Sequence, residues 1–228
     1  MTLQEAIAVR HSVRAYTERP LEADAVWQLQ QRIEELNSDG LLHAQLVCGE
    51  PKAFSGRLAR YGRFRNVRNY IVMAGRRGDD LDERIGYRGE LLVLLAQTLG
   101  LNTCWVGLSY SKVPGSYTLA DDEAIGAYIA IGYGQTQGVT HRIKSVAQVS
   151  NADDRTPQWF RRGVEAALLA PTALNQQRFH FDYLGQQDGR HCVRARSGRS
   201  LVGFSQLDLG IAKCHFEIAA GRNNFDWA

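Results

Sequence analysis

An internal repetition of element order constrains this chain more than any single motif. After a short amphipathic helix marked by Leu3, Ala6 and Ile7, Pro20 introduces a helical stripe of Val26, Leu29, Ile33 and Leu36 that stops at Asp39-Gly40. Strand-like runs follow at Ala44 to Val47 and Tyr70 to Ala74. A strongly apolar helix from Gly89 to Leu99 then closes at Gly100, and Ala127 to Gly132 reads as a further buried strand. Beyond Asn151-Ala152-Asp153-Asp154 the order returns. Thr156 is the expected N-cap with Pro157 at the first helical position, Phe160, Val164 and Ala167 form the buried stripe, and Pro171 ends it. His180 to Leu184 and Cys192 to Arg196 pair as a hairpin through Asp188-Gly189, and Leu209-Gly210-Ile211-Ala212 opens an apolar helix ending at Gly221. Gly89 and Gly210, Gly100 and Gly221, and Asn102 and Asn223 share an offset of 121 residues. The expectation is two similar α/β halves, residues 1–150 and 151–228, packed as a pseudo-dimer around their long helices; one irregular α+β domain with accidental spacing is the alternative.

Composition narrows the class. Of 228 residues, 44% are hydrophobic and 22% charged, as in ordinary globular chains. The longest apolar run, Leu91 to Ala96, is far short of the ~20 residues that span a bilayer. The first residues are polar and acidic and become basic only at Arg10, the reverse of a secretory signal, so a cytoplasmic location is expected. Cys48, Cys104, Cys192 and Cys214 form no disulfide framework, and Cys214 shares a helical face with Ile211 and Ile218, which favours a buried thiol over a metal ligand. Residues 51–78 hold eight basic residues and no acidic one, although net charge is only +3. With Phe54, Tyr61, Phe64 and Tyr70 interleaved, this stretch could stack single-stranded nucleic acid; weak overall basicity favours a solvated face or a site for a small anion.

Two segments carry chemistry. In Arg10-His11-Ser12-Val13-Arg14, alternation puts Arg10, Ser12 and Arg14 on one side of an extended chain, where two guanidiniums and a hydroxyl can converge on a phosphate. In Pro171-Thr172-Ala173-Leu174-Asn175-Gln176-Gln177, a proline-stopped helix leads into a loop presenting Asn175 and Gln177, amides that match the donor and acceptor edge of a heterocycle.

Together these segments resemble the FMN-dependent nitroreductase family. Ala6 to Tyr16 looks like its flavin-phosphate motif and Ala170 to Phe179 like its amide loop, with Arg178 replacing the usual proline. Leu99 to Gly107 is similar to the turn beside the isoalloxazine, and Ala130 to Gly134 followed by Arg142 and Lys144 to the closing strand and late phosphate contacts. The amide loop lies in the second half, not the first, as in a subgroup whose single chain mimics the usual homodimer; Tyr61-Gly62 and Asp208 to Phe216 also look like that subgroup.

The resemblance implies one FMN per chain. Arg10, His11, Ser12, Arg14, Arg142 and Lys144 would hold the phosphate side, Trp105, Val106 and Gly107 would flank the ring, and Pro171, Thr172, Ala173, Asn175 and Gln177 would supply the amide loop. It implies ping-pong transfer of electrons from NADH or NADPH to a nitroaromatic or quinone, without an essential side-chain acid or base. Arg14 is the candidate tuner: a cation about 4 Å from a flavin anion contributes a Coulomb energy of order 4 kcal/mol at an effective dielectric near 20, before desolvation. Arg60 or Arg63 is a candidate for a nucleotide 2′-phosphate. A monomeric pseudo-dimer is expected, with a homodimer possible, no metal, and nucleic acid not a preferred partner. The rival reading is a flavin store, sensor or basic-surface binding protein without turnover.

Overall fold

A computed structural model of the chain describes residues 1–200 and 202–228. Its described helices are α1 (Leu3–Val9), α2 (Ala23–Asn37), α3 (Arg57–Tyr61), α4 (Leu81–Thr98), α5 (Val146–Val149), α6 (Gln158–Leu168) and α7 (Ser205–Ala220). The strands are β1 (Leu42–Val47), β2 (Asn69–Arg76), β3 (Asn102–Val106), β4 (Glu123–Gly132), β5 (Phe179–Gln187), β6 (Arg190–Ser197) and β7 (Asp226–Trp227). The architecture is α+β, as expected. Contacts group the chain into two compact units that interleave along the sequence instead of meeting at one boundary near 150. The first comprises Met1, Val9–Leu81 and Leu91–Thr140, and the second Thr2–Ala8, Asp82–Glu90 and His141–Ala228.

The first unit is built on an antiparallel sheet in the order β1-β2-β4-β3. Strand β2 is central, and Asn69 to Gly75 are all buried, which explains its unbroken apolar run. Tyr70 and Tyr128, on neighbouring strands, stack with centroids 5.1 Å apart, and Tyr110 stacks on Tyr128 at 3.8 Å. Residues 102–106, expected as part of a turn, form edge strand β3, with Thr103 opposite Ile131. Helix α2 starts three residues beyond Pro20 and buries Ala25, Leu29 and Ile33, so its inward stripe is rotated from the expected Val26 and Leu36 positions.

The second unit holds the sheet β5-β6-β7, in which β6 and β7 run parallel. Asp188 and Gly189, at φ of 50° and 78°, make the tight turn of the β5–β6 hairpin, whose strands extend past the expected bounds. Helix α6 begins one residue later than expected: Pro157 takes the N-cap position, and the Thr156 hydroxyl donates to the Asp153 carbonyl instead of capping the helix. The core gathers Phe160, Phe181, Phe216 and Phe225, with Phe181 and Phe216 stacked at 4.7 Å.

Helix α4 begins eight residues before the expected Gly89. Its early turns cross α7 at backbone distance: a Cβ on Gly86 would collide with the Leu207 carbonyl, and one on Gly210 with the Glu83 carbonyl. Around that crossing Lys213 pairs with Glu83 at 2.5 Å, the Tyr87 hydroxyl donates to Glu217 at 2.7 Å, and buried His215 meets buried Glu90 at 2.8 Å. The other ring nitrogen of His215 faces the Ala166 carbonyl at 3.1 Å, so it carries a proton. Cys214 is buried in the same helix, as its apolar face indicated.

Gly210→Ala separates the two possible meanings of that glycine. On helix propensity alone alanine stabilises by roughly 1 kcal/mol; against the Glu83 carbonyl it forces the helices apart, and the expected outcome is a loss of about 2 to 3 kcal/mol in urea unfolding. A stabilised variant would show that the close crossing is absent.

Candidate functional site

In the first unit, residues 10–16 leave α1 and run extended against two neighbours. The Val13 N–H donates to the Thr103 carbonyl at 3.0 Å; the Arg65 N–H donates to the Arg14 carbonyl at 2.9 Å, and the Tyr16 N–H to the Arg65 carbonyl at 3.1 Å. Val13 and Tyr16 turn into the core, and the Tyr16 hydroxyl donates to the Val13 carbonyl at 2.7 Å. Ser12 and Arg14 face a cavity of about 710 Å³, shared with Arg60, Arg63, Phe64 and Arg65.

The expected alternation therefore holds for Ser12, Val13 and Arg14, but Arg10 does not join them on an open face. It follows directly on the last residue of α1 and is 5% exposed, outside the cavity lining. His11 is half-buried. Both Arg10 and Arg14 bear electrostatically on the buried Cys104 thiol: burial pushes it up, opposed by Arg14, then Arg10, and by a hydrogen bond with Ser12. Burial also pushes the Tyr16 hydroxyl well above its ordinary range. On β3, Trp105 is partly exposed and Val106 buried, and Gly107 follows the strand with partial exposure.

In the second unit, the predicted amide loop and the predicted late basic residues are bonded to each other. After Pro171 and Thr172, Ala173–Asn175 make a single 3-10 turn, with Leu174, Asn175 and Gln177 at φ of 51°, 53° and 45°. Asn175 and Gln177 both donate side-chain N–H groups to the Arg142 carbonyl at 2.8 Å. Gln177 donates its other N–H to the Asn175 side-chain oxygen at 2.8 Å and accepts the Lys144 backbone N–H at 2.9 Å. Both N–H groups and the oxygen of its amide are thus bonded, and the residue is 2% exposed. It holds the loop's shape, whereas exposed Asn175 keeps one N–H available. The Lys144 ammonium donates to the carbonyls of Gln176 and Gln177 at 3.1 and 2.6 Å, and burial draws its pKa down, with Arg178 adding to the effect. The Arg142 side chain is exposed.

Asp208 of α7 completes the loop's support, a role not assigned from sequence. Its carboxylate accepts the Ala173 N–H at 2.9 Å and the Gln176 side-chain amide at 2.9 Å. Burial pushes its pKa up to about 6, although both hydrogen bonds favour the charged form. Asp208 stood in the sequence as the first residue of a segment resembling the single-chain subgroup, without a role of its own; the pairing with a loop more than thirty residues away carries no local signal.

Over residues 2–220 the chain matches the family model described as "Putative TM nitroreductase", and it belongs to that family. Among solved structures it is similar to a Thermotoga maritima protein described as a "putative nitroreductase", with 24% identity over 96% of this chain and 83% of that one and a TM-score of 0.67. A Desulfovibrio desulfuricans protein described as a "putative nitroreductase", solved in complex with FMN, is 18% identical over 69% of this chain and 99% of its own, at a TM-score of 0.53. A Bacteroides thetaiotaomicron protein described as an NADH dehydrogenase/NAD(P)H nitroreductase is 17% identical, covering 64% and 95%, at 0.51. These likenesses establish the fold. No curated protein matches the chain significantly in sequence.

The raised Asp208 pKa sets a direction for stability against pH. Between about 3.8 and about 6 the folded chain keeps a proton that the unfolded chain releases, so this carboxyl adds stability as pH falls through 6 and loses it as pH rises. Asp208→Asn is expected to erase that slope. The difference between wild type and variant in urea unfolding should shift by about 1 kcal/mol between pH 7 and pH 5; parallel profiles would remove the assignment.

Proposed function

We propose that this chain is an FMN-dependent oxidoreductase that takes electrons from NADH or NADPH and passes them to an electron-poor small molecule of the nitroaromatic or quinone class. The observation that carries the reading is the cavity in a nitroreductase-family chain that combines a hydroxyl, Ser12, with the Arg14 guanidinium and no lining carboxylate. That donor pair fits a phosphomonoester: the hydroxyl donates and the cation neutralises, and charge-assisted bonds of this kind are the strong ones. The Desulfovibrio relative's complex with FMN adds support for the cofactor.

When bound, FMN supplies hydride acceptance and onward electron transfer, chemistry that no side chain here provides. The chain's own residues bind and tune it. In the first unit Ser12 and Arg14 serve the phosphate side, with Arg10 and His11 on the same segment behind them, and Arg14 is also the cation that favours the reduced, anionic flavin. In the second unit Arg142 offers its exposed guanidinium, and Lys144 holds the loop. Trp105 and the backbone N–H groups of Val106 and Gly107 flank the ring. Pro171, Thr172 and Ala173 shape the loop that presents Asn175, and Gln177 acts by keeping that loop closed. One flavin per chain, a pseudo-dimer formed within one polypeptide and a cytoplasmic location complete the proposal. No described helix is long and apolar enough to cross a membrane.

The protein is expected to purify yellow with FMN and to discriminate against FAD, to be bleached by NAD(P)H, and to show one FMN per chain at monomer mass. Arg10→Ala with Arg14→Ala should weaken FMN by several kcal/mol, at least a hundredfold in Kd. Flavin that stays oxidised under NAD(P)H would favour a flavin-binding protein without turnover; wild-type flavin content in the double variant would overturn the phosphate assignment.

A further inference from the structure

The first unit's cavity holds more positive charge than one flavin phosphate answers. Arg14, Arg60, Arg63 and Arg65 all line it, no lining residue is acidic, and none of the four has an ion pair among the described residues. A phosphomonoester brings at most two negative charges. The backbone that carries the surplus arginines is held firmly. Arg60 belongs to the last turn of α3, and Arg63 sits just beyond it at φ 61°, a left-handed conformation that costs free energy for a non-glycine residue.

That turn is closed by the Arg63 N–H donating to the Arg60 carbonyl and the Phe64 N–H to the Ala59 carbonyl, each at 2.9 Å, with Ala59 and Phe64 buried. At Gly62 even a Cβ would stand 2.8 Å from the Ser109 side chain and 2.9 Å from the Phe64 ring. Arg65 is fixed by its two-sided backbone bridge to Arg14 and Tyr16. Phe64 gives the cavity an apolar ring beside the charges, and the Arg14 guanidinium lies 6.0 Å from its centroid.

We propose that Arg60, Arg63 and Arg65 form a second anion subsite, separate from the flavin phosphate, for an anionic group carried by the flavin's redox partner. This rests on the proposed function and names the ligand class it leaves open: a phosphate or carboxylate on a molecule that also carries a planar ring system. Two sources share that chemistry, a 2′-phosphorylated nicotinamide dinucleotide as donor and an aromatic acid as acceptor. Arginine suits both through its planar fork.

The test is titration of the FMN-loaded protein with paired probes, followed by flavin absorbance and calorimetry, neither of which needs turnover. One arm compares adenosine 2′,5′-bisphosphate with adenosine 5′-monophosphate; the other compares 4-nitrobenzoate with 4-nitrobenzamide. The expected result is at least tenfold tighter binding of the more anionic member in one arm, which identifies the source. In Arg60→Gln with Arg63→Gln, that preference should fall below threefold while FMN content stays at the wild-type level. No preference in either arm overturns the subsite. Loss of FMN from the double variant also overturns it, by assigning these arginines to the flavin phosphate. A protein that binds no flavin at all removes the proposed function first and the subsite with it, and that outcome is read separately from the absorbance of the untreated sample.

Discussion

Gly86 and Gly210 stand where two helix backbones meet with no side chain between them, and the second unit is arranged around that contact. Because the approach is so close, the flanking residues reach one another as charged or hydrogen-bonding pairs: Glu83 with Lys213, Tyr87 with Glu217, Glu90 with His215. The crossing also fixes the first turns of α7, and Asp208 lies two residues before Gly210. Its carboxylate therefore meets the Ala173 N–H and Gln176 from a rigid base. From there the loop passes its constraint to Arg142 and Lys144 through Gln177. The glycine contact thus governs where the loop stands without touching it.

The same crossing shows what was legible in the sequence. The second half of α4 announced itself through Leu91 to Ala96, and Gly100 ended it in the expected conformation. The first half, from Leu81, did not, because Asp82, Glu83, Arg84 and Arg88 look like a solvated turn when their partners on another helix are unknown. Strands β2 and β4 and the β5–β6 hairpin were readable, since burial on both faces and an Asp-Gly turn are local properties. Edge strand β3 was not: Asn102, Thr103 and Trp105 carry no alternation that separates a strand from a turn, and the strand exists because Ile131 and its neighbours pair with it.

At the site, residue types were readable and their partners were not. Ser12 and Arg14 reach the cavity that their spacing indicated, while Arg10 is buried because a helix end interrupts the alternation. Gln177 has the chemistry of a ligand and the environment of a strut. A buried amide with both N–H groups given to loop and backbone has no donor left to offer a solute, a conclusion that requires knowing the position of the Arg142 carbonyl.

The Arg142 carbonyl receives both loop amides, and Lys144 grips the loop from backbone and side chain alike. Mechanically, the segment from Arg142 to Lys144 and the loop from Thr172 to Gln177 are one body. The exposed Arg142 side chain and the remaining Asn175 N–H are rooted in that one body, so a displacement of α7 that carries Asp208 with it carries the base of both.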